Sequence, residues 1–211
     1  MTDRRDIDAI LALSPVMPIM VVEDAAAAPD LAHALLAGGV RVAEVTLRTP
    51  AALDAMAAMK RAAPDMAVGA GTLLTPEDVR RAEDAGADFL VTPGAAPRLI
   101  EALLATGLPL LPGAATGSEI LALLERGVKR MKFFPAEQAG GPAWLAAMHG
   151  PFPQVRFCPT GGITRDLAPA YLKLPNVGCV GGSWVAPAEA IAARDWAAIE
   201  AHARAASALR S

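Results

Sequence analysis

Two side chains in this sequence carry chemistry that an apolar surrounding makes costly. In the run Val42-Ala43-Glu44-Val45-Thr46-Leu47-Arg48, strand alternation puts Glu44, Thr46 and Arg48 on one face and Ala43, Val45 and Leu47 on the other. The apolar face suits a covering helix layer, so Glu44, Thr46 and Arg48 are expected to point inward, where a carboxylate and a guanidinium need compensation. An ion pair between strands that holds their register is the plain alternative to chemistry. Lys132 is the second anomaly. Of the four lysines, Lys60, Lys129, Lys132 and Lys173, it alone follows Met131 and precedes Phe133 and Phe134. A lysine there pairs with a carboxylate, sheds its proton because desolvation disfavours the ammonium form, or snorkels its amine to water along an apolar stem. A buried lysine and an inward glutamate together suggest imine chemistry. A free amine adds to a ketone carbon, and the iminium draws in the electron pair of an adjacent breaking carbon–carbon bond. The carboxylate carries the protons.

A pair of glycine turns follows late in the chain, Pro159-Thr160-Gly161-Gly162-Ile163 and Gly181-Gly182-Ser183-Trp184. One Gly-Gly is usually a turn and nothing more. Two of them after successive closing strands, the second followed by Ser183, predict a phosphate held by backbone N–H groups. Other chemistries find no support. His33, His149 and His202 lack metal-ligand spacing, and no Gly-x-Ser-x-Gly elbow occurs. After Gly69-Ala70-Gly71-Thr72 the third glycine of a dinucleotide fingerprint is missing. Trp144, Trp184 and Trp196 read as core or interface anchors. Neither a metal nor a cofactor is expected.

The elements that must position these residues form a repeated pattern. Short apolar runs at 16–22, 42–47, 66–70, 89–92, 108–111, 131–134, 155–158 and 177–180 read as strands. Amphipathic, alanine-rich stretches at 25–37, 50–63, 76–85, 97–106, 118–126, 142–148, 166–172 and 187–206 read as helices. Pro50, Pro76, Pro97 and Pro187 fall in first helical turns, and Thr49 and Thr75 are N-cap candidates, Thr75 with Asp78 as a capping box. Gly38, Gly86, Gly107 and Gly127 sit where a left-handed residue ends a helix. Eight strand–helix units predict a parallel sheet closed into a (β/α)8 TIM barrel, with an extra N-terminal helix over 3–13. No linker breaks the composition, so residues 1–211 are expected to form one domain; an open doubly wound sheet is the rival.

The 211 residues are 54% hydrophobic and 19% charged, with a net charge of −3, which excludes disorder as the main state. No cluster of Lys and Arg supplies the positive stripe that nucleic acid requires. The longest plainly apolar run, 15–22, is far too short to span a bilayer, and the first residues resemble no secretory signal. Cys158 and Cys179 lie in apolar stretches and are expected to be buried reduced thiols of a cytoplasmic protein.

The motifs Glu44-Val45-Thr46-Leu47-Arg48-Thr49, Gly69-Ala70-Gly71-Thr72, Lys132-Phe133-Phe134-Pro135-Ala136-Glu137, Arg156-Phe157-Cys158-Pro159-Thr160-Gly161-Gly162-Ile163 and Gly181-Gly182-Ser183-Trp184, in this order, closely resemble those of the 2-dehydro-3-deoxy-6-phosphogluconate (KDPG) aldolases. The resemblance implies a homotrimeric (β/α)8 class I aldolase of the Entner–Doudoroff pathway, working without metal and cleaving KDPG to pyruvate and glyceraldehyde 3-phosphate. It implies Lys132 as the Schiff-base lysine and Glu44 as the general acid and base. Arg48 and Thr72 would bind the pyruvate carboxylate, with Pro93 and Phe134 lining the pocket. The phosphate end matches Gly161, Gly162, Gly182 and Ser183, with Thr160 near the substrate hydroxyl. Competing readings are 4-hydroxy-2-oxoglutarate (KHG) as the main substrate, a C4-epimeric sugar acid, a phosphosugar isomerase or epimerase using Glu44 as base and Lys132 as an electrostatic anchor, and a catalytically silent metabolite-binding barrel.

Overall fold

A computed structural model describes residues 6–209. The chain opens on a single-turn helix, α1 (Ile7–Leu11), whose first turn is capped by the Asp6 carboxylate accepting from the Asp8 N–H at 3.0 Å. Strand and helix then alternate: β1 (Val16–Met20), a 3-10 turn (Ala25–Ala27) running into α2 (Ala28–Ala37), β2 (Val42–Thr46), α3 (Ala52–Ala62), β3 (Ala67–Gly71) and α4 (Pro76–Asp84). Next come β4 (Leu90–Val91), α5 (Pro97–Ala105), β5 (Leu110–Leu111), β6 (Gly113–Ala114), α6 (Gly117–Leu124) and β7 (Arg130–Phe133). The last part holds α7 (Gly141–His149), β8 (Arg156–Pro159), α8 (Ala168–Leu172), β9 (Val180–Gly182), a 3-10 turn (Ser183–Val185), α9 (Ala188–Ala192) and α10 (Trp196–Ser207).

Every ladder is parallel, as helical crossovers between successive strands demand. Six strands form one curled sheet in the order β5-β4-β3-β2-β1-β9, and a second sheet holds β6-β7-β8. The expected uninterrupted ring of eight strands is therefore corrected to two sheets. Pro112, which has no N–H to give to a ladder, divides β5 from β6. On the other side only the isolated bridges Phe157↔Val177 and Thr160↔Gly181 link β8 towards β9. The eleven-residue leading helix is likewise reduced to the one turn of α1; residues 3–5 of it lie outside the described residues.

Alternation along the strands separates two apolar layers. Leu11, Met17, Val42, Phe89, Cys158 and Cys179 belong to a cluster on the sheets' inner side, so the side chains of α1 pack onto the base of that interior. Val45, Val68, Leu90, Met131, Phe133 and Phe157 belong to the larger cluster shared with the helices. There the Phe133 ring stacks on Trp144 at 4.3 Å. The two cysteines are buried thiols with sulfur atoms 3.5 Å apart and no disulfide.

The expected punctuation holds in part. Thr75 and Asp78 form the capping box of α4, and Gly86, Gly107 and Gly127 all have positive φ. Gly38 does not: its φ is −79° and Gly39 turns left-handed instead. A side chain at Gly38 would put its Cβ 2.4 Å from that of Ala203, so Gly38 is where α10 crosses closely. Thr49 caps no helix; its hydroxyl donates to the Val22 carbonyl at 2.6 Å. The helix expected over 187–206 is broken at Arg194, which has a φ of 55°, and restarts with Asp195 capping α10. Among the described residues no helix is long and apolar enough to cross a membrane.

Candidate active site

Lys132 on β7 and Glu44 on β2 come from different sheets and meet between them. The Lys132 Nζ donates to Glu44 Oε1 at 3.0 Å and to Oε2 at 3.2 Å, with the two residues 5% and 1% exposed. Burying either charge alone would cost several kcal/mol, on the order of 3–5, and each here compensates the other. The alternation that turns Val42 inward and Ala43 and Val45 outward also turns Glu44 inward. On β7, Met131 and Phe133 pack outward, which leaves Lys132 facing in. The amine also lies 5.6 Å from the centre of the Phe134 ring, a cation–π distance.

Small residues make the space for this pair. Gly71, at the end of β3, faces Glu44: a Cβ there would fall 2.0 Å from Oε1. Gly113 is in register with Lys132, and a Cβ there would fall 2.2 Å from the carbonyl oxygen of Pro93. Thr92 is fully buried and fixes the turn carrying Pro93 by donating to the Gly94 carbonyl at 2.5 Å and accepting from the Gly113 N–H at 3.4 Å. Gly71, Gly113 and Thr92 were not singled out for these roles from the sequence. Gly71 and Gly113 fall just past the strand runs read from the sequence, so the signal of a strand glycine, close approach by another group, shows only once the structure extends β3 to Gly71 and starts β6 at Gly113.

Thr46 shares the inward face with Glu44, but its hydroxyl is consumed by the Met20 carbonyl at 2.8 Å. Arg48 departs from the expected alternation. β2 ends at Thr46, the Arg48 N–H donates back to the Thr46 carbonyl at 2.8 Å, and the side chain is exposed, with no ion pair among the described residues. Thr72 follows β3 with a φ of 60° and is half-buried, as are Pro93 and Phe134.

At the end of β8, Thr160 is buried and donates weakly to the Cys158 carbonyl at 3.4 Å. The bridge Thr160↔Gly181 draws the two glycine turns side by side. Gly161 and Gly162 have φ of 107° and 77°, open only to glycine at little cost. Gly182 ends β9 buried, and Ser183 begins the following 3-10 turn with an exposed side chain. Among the described residues no group of three His, Cys, Asp or Glu could hold a metal ion.

The fold and site thus define an α/β protein whose interior holds one lysine–carboxylate pair beside two glycine turns. The family model for KDPG and KHG aldolases matches residues 7–202, and the chain belongs to that family. It is 50% identical over 184 residues to the 2-dehydro-3-deoxy-phosphogluconate aldolase of Zymomonas mobilis, covering 87% of this chain and 88% of that one. It is 47% identical over 189 residues to the KHG/KDPG aldolase of Escherichia coli K12, covering 90% and 89%. The crystal structure of the Legionella pneumophila KDPG aldolase, with pyruvate captured as a covalent carbinolamine, superposes with a TM-score of 0.92 at 46% identity, covering 95% of this chain and 97% of that one.

Proposed function

We propose that this chain is a class I aldolase that cleaves KDPG to pyruvate and glyceraldehyde 3-phosphate. The observation that carries the reading is the buried Lys132 amine 3.0 Å from the Glu44 carboxylate. The Lys132 amine, once its proton has passed to the paired Glu44, adds to the C2 ketone, and Glu44 moves the protons that turn the carbinolamine into an iminium with loss of water. Glu44, by then a carboxylate again, takes the C4 hydroxyl proton directly or through water; the C3–C4 bond breaks, its electron pair passes to the iminium, and the aldehyde leaves. Glu44 then protonates the resulting enamine at carbon, and hydrolysis frees pyruvate and the lysine.

Arg48, two residues past the end of β2, and Thr72 hold the substrate carboxylate, a guanidinium suiting it by its planar fork. Pro93 and Phe134 line the pocket, and Thr160 lies beside the reacting hydroxyl. Gly161, Gly162, Gly182 and Ser183 take the phosphate. The chain works as one barrel-like (β/α)8 domain; the continuous β5–Pro112–β6 segment and the isolated Thr160↔Gly181 bridge support this reading of the two sheets as one wall. It works in the cytoplasm as a homotrimer without metal; exposed Leu74 and Leu121 supply apolar surface that such an assembly would cover. KHG is a second substrate, favoured by the double name of the Escherichia coli relative, and its second carboxylate takes the phosphate end.

The test is reduction with borohydride in the presence of pyruvate. The expected result is a covalent adduct on the peptide containing Lys132, together with pyruvate release from KDPG in the presence of chelator. An adduct on another lysine overturns the assignment. Absence of any adduct favours an isomerase or epimerase, whose enediol chemistry forms no imine.

A further inference from the structure

We infer that Glu137 and Tyr171 are positioning residues that hold the Gly161–Gly162 turn in its phosphate-binding shape, and so set the preference for a phosphorylated over an unphosphorylated aldehyde half. The inference rests on the aldolase reading above. Tyr171 belongs to the outer apolar cluster shared with the helices, and the Glu137 side chain lies against Gly162.

The segment after β7 and the segment after β8 run side by side. The Thr160 N–H donates to the Phe133 carbonyl at 2.9 Å, the Ala136 N–H to the Thr160 carbonyl at 2.8 Å, and the Glu137 N–H to the Gly161 carbonyl at 3.1 Å. Glu137 therefore fixes the first residue of the turn through its backbone. Its side chain backs the second residue, since a Cβ at Gly162 would lie 2.9 Å from both Cβ and Cγ of Glu137. Gly162 is exposed on its other side, and its φ of 77° is backed by this side chain.

Tyr171 closes the arrangement from the other end. It sits on α8, the helix that the turn leads into, and is fully buried. Its hydroxyl donates to the Glu137 Oε1. The turn is thus bracketed: its leading residue is bonded to the Glu137 backbone, and the helix beyond it is tied to the Glu137 carboxylate. A half-buried carboxylate that receives the hydrogen bond of a fully buried phenol is a stiff anchor, because an ionised acceptor strengthens the bond and leaving the buried hydroxyl unpaired is costly. Backbone N–H groups bind an anion well only when they converge beforehand, so loosening the bracket would weaken phosphate binding and leave the imine chemistry intact.

The experiment compares the parent enzyme with Tyr171→Phe, Glu137→Ala and Glu137→Gln, in the aldol direction, with pyruvate and either glyceraldehyde 3-phosphate or unphosphorylated glyceraldehyde. Tyr171→Phe and Glu137→Ala should raise the KM for glyceraldehyde 3-phosphate roughly tenfold, the scale of one hydrogen bond to a charged acceptor. Inhibition by inorganic phosphate should weaken by the same factor. The rate with glyceraldehyde and the exchange of pyruvate methyl protons for deuterium should stay within about twofold, a loss confined to binding of one substrate part. Glu137→Gln, which keeps an acceptor for Tyr171, should stay close to the parent. Equal losses with both aldehydes, an unchanged KM for glyceraldehyde 3-phosphate, or a Glu137→Gln variant as impaired as Glu137→Ala would each overturn the inference. If the parent itself exchanges no pyruvate protons, the aldolase reading falls and this inference with it.

Discussion

The carboxylate of Glu44 fills the space where a side chain at Gly71 would stand. A Cβ at Gly71 would lie 2.0 Å from Oε1 and 2.5 Å from both Cγ and Cδ of Glu44. The reach of Glu44 to Lys132 is therefore set by an absent side chain on the neighbouring strand as much as by the attraction of opposite charges.

Gly71→Ala should push the Glu44 carboxylate off Lys132. Turnover is expected to fall by at least about a hundredfold, the lower range for loss of a general acid–base group. Stability should fall by about 1–3 kcal/mol, as for an overpacked interior. Steady-state rates and urea unfolding measure the two effects. A variant with parental turnover would show that proton transfer does not depend on this placement of Glu44.

Thr72 is a β-branched residue in the left-handed region, with a φ of 60°, a conformation that stores strain and persists where function requires it. Thr72→Gly should raise the unfolding midpoint, with a net gain of about 1 kcal/mol after the greater freedom of glycine in the unfolded chain is set against the relieved strain. The same change should weaken pyruvate binding by removing the hydroxyl. A lowered midpoint would place the strain elsewhere.

Tyr171 is the one tyrosine of the chain, so its ionisation can be read directly from tyrosinate absorbance. Burial, reinforced by the hydrogen bond and charge of Glu137, pushes it well above its ordinary value of 10.0. A raised value makes this group's contribution to stability complete below pH 10 and progressively lost above it, because the unfolded phenol ionises there and the folded one does not. The folded chain should show no tyrosinate signal until alkaline unfolding begins, and Tyr171→Phe should shallow the alkaline loss of stability. Titration of the native chain near pH 10 would contradict the buried hydrogen bond.

The Lys132–Glu44 pair was legible because both members break a local rule. Glu44 interrupts an apolar alternation and Lys132 interrupts an apolar run, and burial makes each interruption costly unless something answers it. The same alternation misled at Arg48, since β2 stops two residues earlier and no side-chain signal marks that stop. In the helices, alanine blurred the boundaries. The stretch 187–206 reads as one helix, and only Asp195, whose carboxylate accepts from the Ala198 N–H at 3.0 Å, signals the restart after Arg194. Gly71 reads as a loop glycine, and its clearance for Glu44 depends on a β2–β3 register in which Thr46 pairs with Gly71. That long-range relation is absent from any local window. The two-sheet arrangement escaped for the same reason. β4, β5 and β6 each span two residues, too short for alternation to show where one ladder yields to the next.

Lys132 and Glu44 are 88 positions apart and are supplied by separate sheets. On the proposed roles of this pair, turnover serves as an assembly sensor: a nascent chain or truncated fragment ending before β7 has the glutamate without the amine and stays silent. The return of aldolase activity during refolding marks the moment when the two halves of the polypeptide dock, not the earlier formation of local helices.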